Sequence, residues 1–300
     1  MSGKVTLLFV DDEQRILRSL KMLFKSQYNI LMTTDGNEAV EMAKKQTIHV
    51  VVSDQRMPIM PGVEVLKRIK EISPNTMRLL LTGYSDWAAM VGSVNEGEVF
   101  RFINKPWDND EIKKTIDQAV GIANTLIETA DKPEEEASVP DDRLGLLVID
   151  EDKTTSETVQ EIVGDKYAVK WSTNLEDAFS ILSSENIGVI ISEVKIGGED
   201  ITDPLKKLKE LHPSILTLVL TSFQDSKLLI DLINQGQIYR FMPKPILKKV
   251  VEMSINAAMR QYRACQKRPQ LLKRHAVEKP KEGEHKVSNK ILGYLQKIRA

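Results

Sequence analysis

A chain of 300 residues with 41% apolar and 28% charged side chains is long enough for about two domains, each able to bury its own core. Its formal net charge of -1 argues against capture of the whole molecule by nucleic acid or an anionic membrane through bulk electrostatics. With Cys265 as the one cysteine no intrachain disulfide can form, and four scattered histidines offer no zinc spacing.

In chain order, the first half opens on an apolar run at residues 7–10, too short for a signal peptide or a membrane span, and leads directly into Asp11, Asp12 and Glu13. A cytoplasmic protein is expected. A helical stripe of Ile16, Leu17, Leu20, Leu23 and Phe24 follows. Apolar runs recur at residues 50–52 before Asp54 and at 79–81 before Thr82. Continuous runs of this kind suit strands of a parallel sheet covered on both faces. After Lys105, a second stripe comprises Ile112, Ile116, Ala119, Val120 and Ala123. The alternation predicts about five βα units over residues 1–128, hence a doubly wound α/β domain with right-handed crossovers.

Residues 129–143 read as a linker, because the stretch DKPEEEASVPDDR is rich in charge and proline and nearly empty of apolar side chains. Residues 144–263 then repeat the first half. The segments LLFVDDE, VVVSDQRMP, LLLTGYSD and FRFINKPW return as LLVIDED, VIISEVKI, LVLTSFQD and YRFMPKPI. Asp11, Asp12, Asp54, Thr82 and Lys105 thereby correspond to Asp150, Glu151, Glu193, Thr221 and Lys244, at a constant offset of 139 residues. From the second acid onward the separations are 42, 28 and 23 residues in both halves. A period this long is a domain duplication, not a solenoid. Residues 264–300 form a basic tail: between Met259 and Ala300 there are twelve Lys or Arg against three Glu. Within it, Ile291, Leu292, Leu295 and Ile298 are spaced for a short terminal amphipathic helix.

In an open α/β sheet, functional groups gather outside the carboxyl ends of the strands. Each polar landmark here follows an apolar run, so all are expected at that edge, with Asp11, Asp12 and Asp54 crowded together. Close carboxylates repel unless a cation neutralises them, and an oxygen-only set with room for water and phosphate suits Mg2+. The Thr82 hydroxyl and the Lys105 charge suit phosphoryl oxygens, and Asp54 can act as a carboxylate nucleophile that forms an acyl phosphate. Singly, Asp12 reads equally as a helix cap, Thr82 as a turn residue and Lys105 as a solvated lysine. The spacing, kept twice, favours the chemical reading. Pro106 suggests a cis peptide that aims Lys105 inward. Met57, Met60 and Met90 read as packing or loop residues, and Trp87 and Trp107 as partner contacts or packing.

On these residues, from 4 to 126, the first half resembles the receiver domain of bacterial two-component response regulators. The resemblance implies a flavodoxin-like (βα)5 fold and phosphorylation of Asp54 by a histidine kinase or phosphotransfer protein. It also implies Mg2+ held by Asp12, Asp54 and the main-chain carbonyl of Arg56, with Asp11 assisting through water. Thr82 and Phe102 match the family's switch pair, in which the threonine moves toward the phosphate and the aromatic ring turns inward.

The same resemblance covers residues 142–263, with one departure at the reactive position. Glu193 stands where the first half has Asp54, and its extra methylene displaces the carboxylate by about one carbon–carbon bond, which spoils an in-line attack. No phosphorylation is expected there. Lys195 or Lys244 can neutralise Glu193 without metal. Glu193 either imitates a phosphorylated aspartate or marks a retired site; the second is favoured, because a carboxylate has less charge and fewer oxygens than an acyl phosphate. The sequence GGED at residues 197–200 superficially resembles a cyclase motif but falls in a loop position. An active receiver followed by a degenerate one resembles the front of response regulators that make cyclic-di-GMP, where the second copy is a dimerisation adaptor. FRFINKPW resembles receivers joined to cyclic-di-GMP phosphodiesterase domains. Motifs of neither catalytic domain are present.

The expected function is a phosphorylation-controlled interaction protein, with a downstream signalling partner and the second receiver as a docking or dimerisation adaptor. A homodimer stays open. Two alternatives are a transcriptional regulator acting through Arg260, Arg263, Lys267, Arg268, Lys273 and Arg274, and a phosphate sink that uses the same Asp54 chemistry. The tail lacks a helix-turn-helix-sized unit, so nucleic acid is not an expected partner. No further nucleophile, base or cofactor constellation stands out, so the domain is expected only to assist its own phosphorylation.

Overall fold

The computed structural model describes residues 4–83, 91–92, 95, 98–130, 144–223, 225–236 and 238–275. They fall into two compact units, one built on the first half of the chain and the other on the second, except that residues 226–230 are grouped with the first. The first contains β1 (Thr6–Val10), α1 (Gln14–Phe24), β2 (Asn29–Thr33), α2 (Gly36–Lys45), β3 (Val50–Asp54), α3 (Gly62–Ile72), β4 (Met77–Thr82), β5 (Arg101–Asn104) and α4 (Asn109–Glu128). Its sheet is parallel throughout, in the order β2-β1-β3-β4-β5. Strand order reverses between β1 and β3, so a crevice opens beyond their carboxyl ends.

Burial explains why these segments are strands. Every residue of β1, β3 and β4 is buried, whereas β2 at the sheet edge keeps an exposed first residue and a half-buried middle. The predicted helical stripes face the sheet: Leu17, Leu20 and Phe24 are buried on α1, and Ile112, Ile116, Ala119, Val120 and Ala123 on α4. Side-chain caps fix two of the helix starts, Asp35 accepting from the Asn37 amide and Asp108 from those of Asp110 and Glu111.

The second half of the chain repeats this plan with β6 (Gly145–Ile149), α5 (Lys153–Val163), β7 (Ala168–Ser172), α6 (Leu175–Ser184) and β8 (Ile187–Ser192). A two-stranded hairpin comes next, β9 (Lys195–Ile196) and β10 (Glu199–Asp200), then α7 (Thr202–Leu211), β11 (Leu216–Thr221), α8 (Ser226–Asp231), β12 (Arg240–Pro243) and α9 (Lys248–Lys267). The main sheet runs β12-β11-β8-β6-β7, the same order read from the other edge. Two apolar clusters cover its faces, one around Val148, Ile191 and Ile255, the other around Ile149, Ile190 and Leu208.

The hairpin is a local departure between the halves. Gly197 and Gly198, both with positive φ, form its two-residue turn, the conformation that tight hairpins demand and side chains with a Cβ resist. The GGED stretch is therefore a turn and a strand. A second departure lies at the C-terminal boundary. The apolar pattern suggested an end to the second domain at residue 263, but α9 continues through Lys267 and a 3-10 turn spans Pro269–His275. Tyr262 and Cys265 carry the helical burial pattern past that point, until Pro269 ends it.

A pair of carbonyls at the base of β4 and β11 is served by different cations. In the first unit Arg78 donates to the carbonyls of Pro74 and Thr76 and pairs with Glu98, which also holds Lys70. In the second, Lys209 donates to the carbonyls of Pro213 and Ile215. Lys209 lies at the position of Lys70, while Thr217 replaces Arg78 and Gln237 replaces Glu98.

No helix among the described residues is long and apolar enough to cross a membrane. Trp87, Met90, the linker from residue 131 and the expected terminal helix lie outside the described residues.

Candidate functional site

Parallel strands put the predicted residues on one edge. Asp11 directly follows β1, Asp54 ends β3, Thr82 ends β4 and Lys105 directly follows β5. The chain then turns through a cis Lys105–Pro106 peptide, as Pro106 suggested. Register locks the arrangement, because the Gln55 amide donates to Leu81 and the Lys105 amide to Thr82.

Lys105 is the centre of the site. Its Nζ lies 2.9 Å from Asp11 Oδ2 and 2.5 Å from Asp54 Oδ1. The other carboxylate oxygens accept backbone amides, Asp11 Oδ1 from Glu13 at 2.9 Å and Asp54 Oδ2 from Arg56 at 2.6 Å. Burial acts to lower the lysine's pKa, but hydrogen bonds to Asp54 and Asp11 outweigh it and raise the value. Asp11 is raised instead, first by burial and further by the charge of Asp54, despite its bond to Lys105. The two shifts agree physically. The ammonium faces two anions, whereas Asp11 shares one cation with a second anion.

The expected crowding of three carboxylates is corrected in one respect. Asp12 is exposed, and no group of three potential metal ligands is assembled among the described residues. Lys105 supplies the neutralising charge between the two buried acids. The donor chemistry nonetheless fits a hard divalent cation. Three carboxylates against one ammonium leave an excess of negative charge on oxygen donors, which suits such a cation.

Thr82 and Phe102 are both buried, at 2% and 3% exposure. The Thr82 hydroxyl donates to the Gly83 carbonyl at 2.9 Å.

Gly62 has a role that the sequence pattern did not reveal. A Cβ there would lie 2.1 Å from the Asp54 carbonyl oxygen, so only glycine lets the start of α3 pack against the acceptor strand. The Pro61-Gly62 pair before a helical stripe was the available signal. Gly62→Ala is expected to cost about 1–3 kcal/mol by overpacking against backbone that cannot yield. Urea denaturation of the full chain, with hydrogen exchange resolving first-half peptides, checks it.

The second site keeps the bridge with a longer acid. Lys244 Nζ lies 2.7 Å from Asp150 Oδ2 and 3.0 Å from Glu193 Oε2. Hydrogen bonds to Asp150 and Glu193 again raise the lysine against the opposing effect of burial. The Glu193 side chain is 13% exposed where that of Asp54 is 7%, in line with an outward displacement. Its Oε1 accepts the Val194 amide, the Thr221 hydroxyl accepts the Phe223 amide, and Glu151 is exposed. Lys244 is the cation that neutralises Glu193; the Lys195 ammonium sits 4.1 Å from the centre of the Phe223 ring.

A family model described as the response regulator receiver domain matches residues 7–117 and again 146–256. The hydrogenase transcriptional regulatory protein HoxA of Bradyrhizobium diazoefficiens is 32% identical over 129 residues, 43% of this chain and 27% of the relative. HoxA of Cupriavidus necator is 36% identical over 121 residues, 40% of this chain and 25% of the relative. The chain thus spans about a quarter of the length of these relatives. Among solved structures, the signal receiver domain of an HD domain-containing protein from Pseudomonas fluorescens Pf-5 is 30% identical with a TM-score of 0.41, covering 43% of this chain and 95% of that one.

Proposed function

The chain belongs to the response regulator receiver domain family in both of its halves, and on that premise we propose that Asp54 is the phosphoacceptor and that the second half is a non-reacting companion. The observation that carries the proposal is the Lys105 bridge between Asp11 and Asp54, set beside its counterpart with Glu193 in the aspartate's place.

In the reaction proposed, an Asp54 carboxylate oxygen attacks the phosphorus of a phosphohistidine. The phosphorus–nitrogen bond breaks and an acyl phosphate forms. Lys105 transfers its ammonium donors from carboxylate to phosphoryl oxygens, and the Thr82 hydroxyl exchanges the Gly83 carbonyl for the same oxygens. Asp12, Asp54 and the Arg56 carbonyl would hold Mg2+, with Asp11 acting through water. Bound there, the ion would offset phosphoryl charge beside the buried acids. The exchange at Thr82 biases a small two-state shift toward a partner-binding form.

The intact chain, given acetyl phosphate and Mg2+, is expected to gain one phosphoryl group by mass, and excess chelator should abolish the gain. No gain with Mg2+ present would remove Asp54 chemistry from the account.

The relatives' names favour a transcriptional role, yet their matches are receiver-sized. Charge in the tail alone supports DNA contact. We expect no DNA retention even at low salt; binding with a steep salt dependence, lost on truncation after His275, would establish the regulator instead.

A further inference from the structure

The first turns of α9 expose an apolar row, Leu247, Val250 and Met253, at 62%, 40% and 63%. The duplication supplies a control. At the same positions α4 carries Asp108, Glu111 and Lys114, all exposed. Asp108 also caps α4 by accepting two amides, whereas Leu247 at the start of α9 makes no side-chain cap. The second helix has given up both a charged face and a cap for apolar surface.

The segments beyond the two helices differ in the same sense. After α4 lies the acidic, proline-rich stretch with almost no apolar side chains. After α9 lies the segment with Ile291, Leu292, Leu295 and Ile298 at helical spacing. We propose that residues 291–298 of the same chain fold as a short amphipathic helix onto the Leu247, Val250 and Met253 row.

Size and reach both select this occupant. Three side chains fall far short of the roughly 800 Å² per partner that a stable two-copy interface needs. A tethered segment requires far less, because its effective concentration is on the order of millimolar. The 3-10 turn over Pro269–His275 packs against α9, so the chain leaves that turn beside the helix. From Cys265 to Met253 the helix rises about 18 Å. The residues from 275 to 291 can span about 50 Å.

Methionine oxidation by dilute peroxide tests the proposal in the full chain, with Met22 on α1, 73% exposed, as internal reference. Met253 is expected to oxidise several-fold more slowly than Met22, and the rates should converge in the Leu292→Asp/Leu295→Asp chain. Continued protection of Met242 and Met259, buried in the second half, would show there that the fold is kept. Met253 reacting as fast as Met22 in the unmodified chain would overturn the proposal, as would protection that survives the double substitution. Protection lost on dilution, with a fall in solution mass, would assign the row to a second copy and overturn it equally.

Discussion

Asp54→Ala is expected to eliminate phosphoryl incorporation from acetyl phosphate, while Glu193→Ala leaves it at one group per chain. Both substitutions remove a carboxylate from a lysine bridge of nearly the same geometry. In each case the lysine retains a second acid, Asp11 for Lys105 and Asp150 for Lys244, so neither leaves a buried ammonium unpaired. Their difference in labelling therefore reads reactivity rather than folding. The reason for it is placement. A misplacement of about 1 Å can cost roughly 100-fold in rate, and the extra methylene of Glu193 exceeds that. Label on the Asp54→Ala chain at the level of the unaltered one would assign the acceptor elsewhere. The bond should also be cleaved by hydroxylamine, as an acyl phosphate is and a phosphoester is not.

The second large effect concerns the stability of the second half. Lys209 is 1% exposed and donates to two carbonyls, with no carboxylate opposite it among the described residues. Burial holds its pKa down at about 8, against an ordinary value of 10.5. Between those values Lys209 binds more protons in the unfolded chain than in the folded one, so its contribution to stability rises with pH, opposed by the neighbouring Cys265, whose thiol burial pushes up to about 11. The full gain across that window is on the order of 3 kcal/mol. Lys209→Met should flatten the rise, and it leaves two carbonyls without their donor. Trp171, the lone tryptophan of the second half, reports the transition in a chain whose Trp87 and Trp107 are replaced by phenylalanine. A slope unchanged between Lys209→Met and the unaltered chain would mean that Lys209 contributes none of it. The first half, where Glu98 pairs Lys70 and Arg78, should lack this contribution.

Apolar periodicity made most of the fold legible, because a buried parallel strand leaves a continuous run and a covering helix leaves a stripe. The runs before Asp54 and Thr82 became β3 and β4, each extended by one to three residues into polar positions that pair in the sheet. The constant offset also made the gathering of equivalent side chains at equivalent strand ends readable, and with it Lys244 as a partner of Glu193; the Lys105 bridge was not legible, because Lys105 reads as matched to phosphoryl oxygens. Features that depend on short-range geometry were not legible. Gly62 matters only because the Asp54 carbonyl passes 2.1 Å from where its Cβ would be, and the Pro61-Gly62 pair marks a turn without revealing that approach. The exchange of Arg78 for Lys209 was hidden because two different elements reach the same pair of carbonyls.

The central claim is that one half reacts and the other, alike in fold, does not. Hydrogen exchange of the full chain with and without beryllofluoride and Mg2+ tests it most directly, since the fluoride imitates a phosphoryl group on a carboxylate. Slowed exchange at the ends of β3, β4 and β5, with no change at the ends of β8, β11 and β12, is the predicted result. Equal slowing in both halves, or slowing confined to the second, would contradict it.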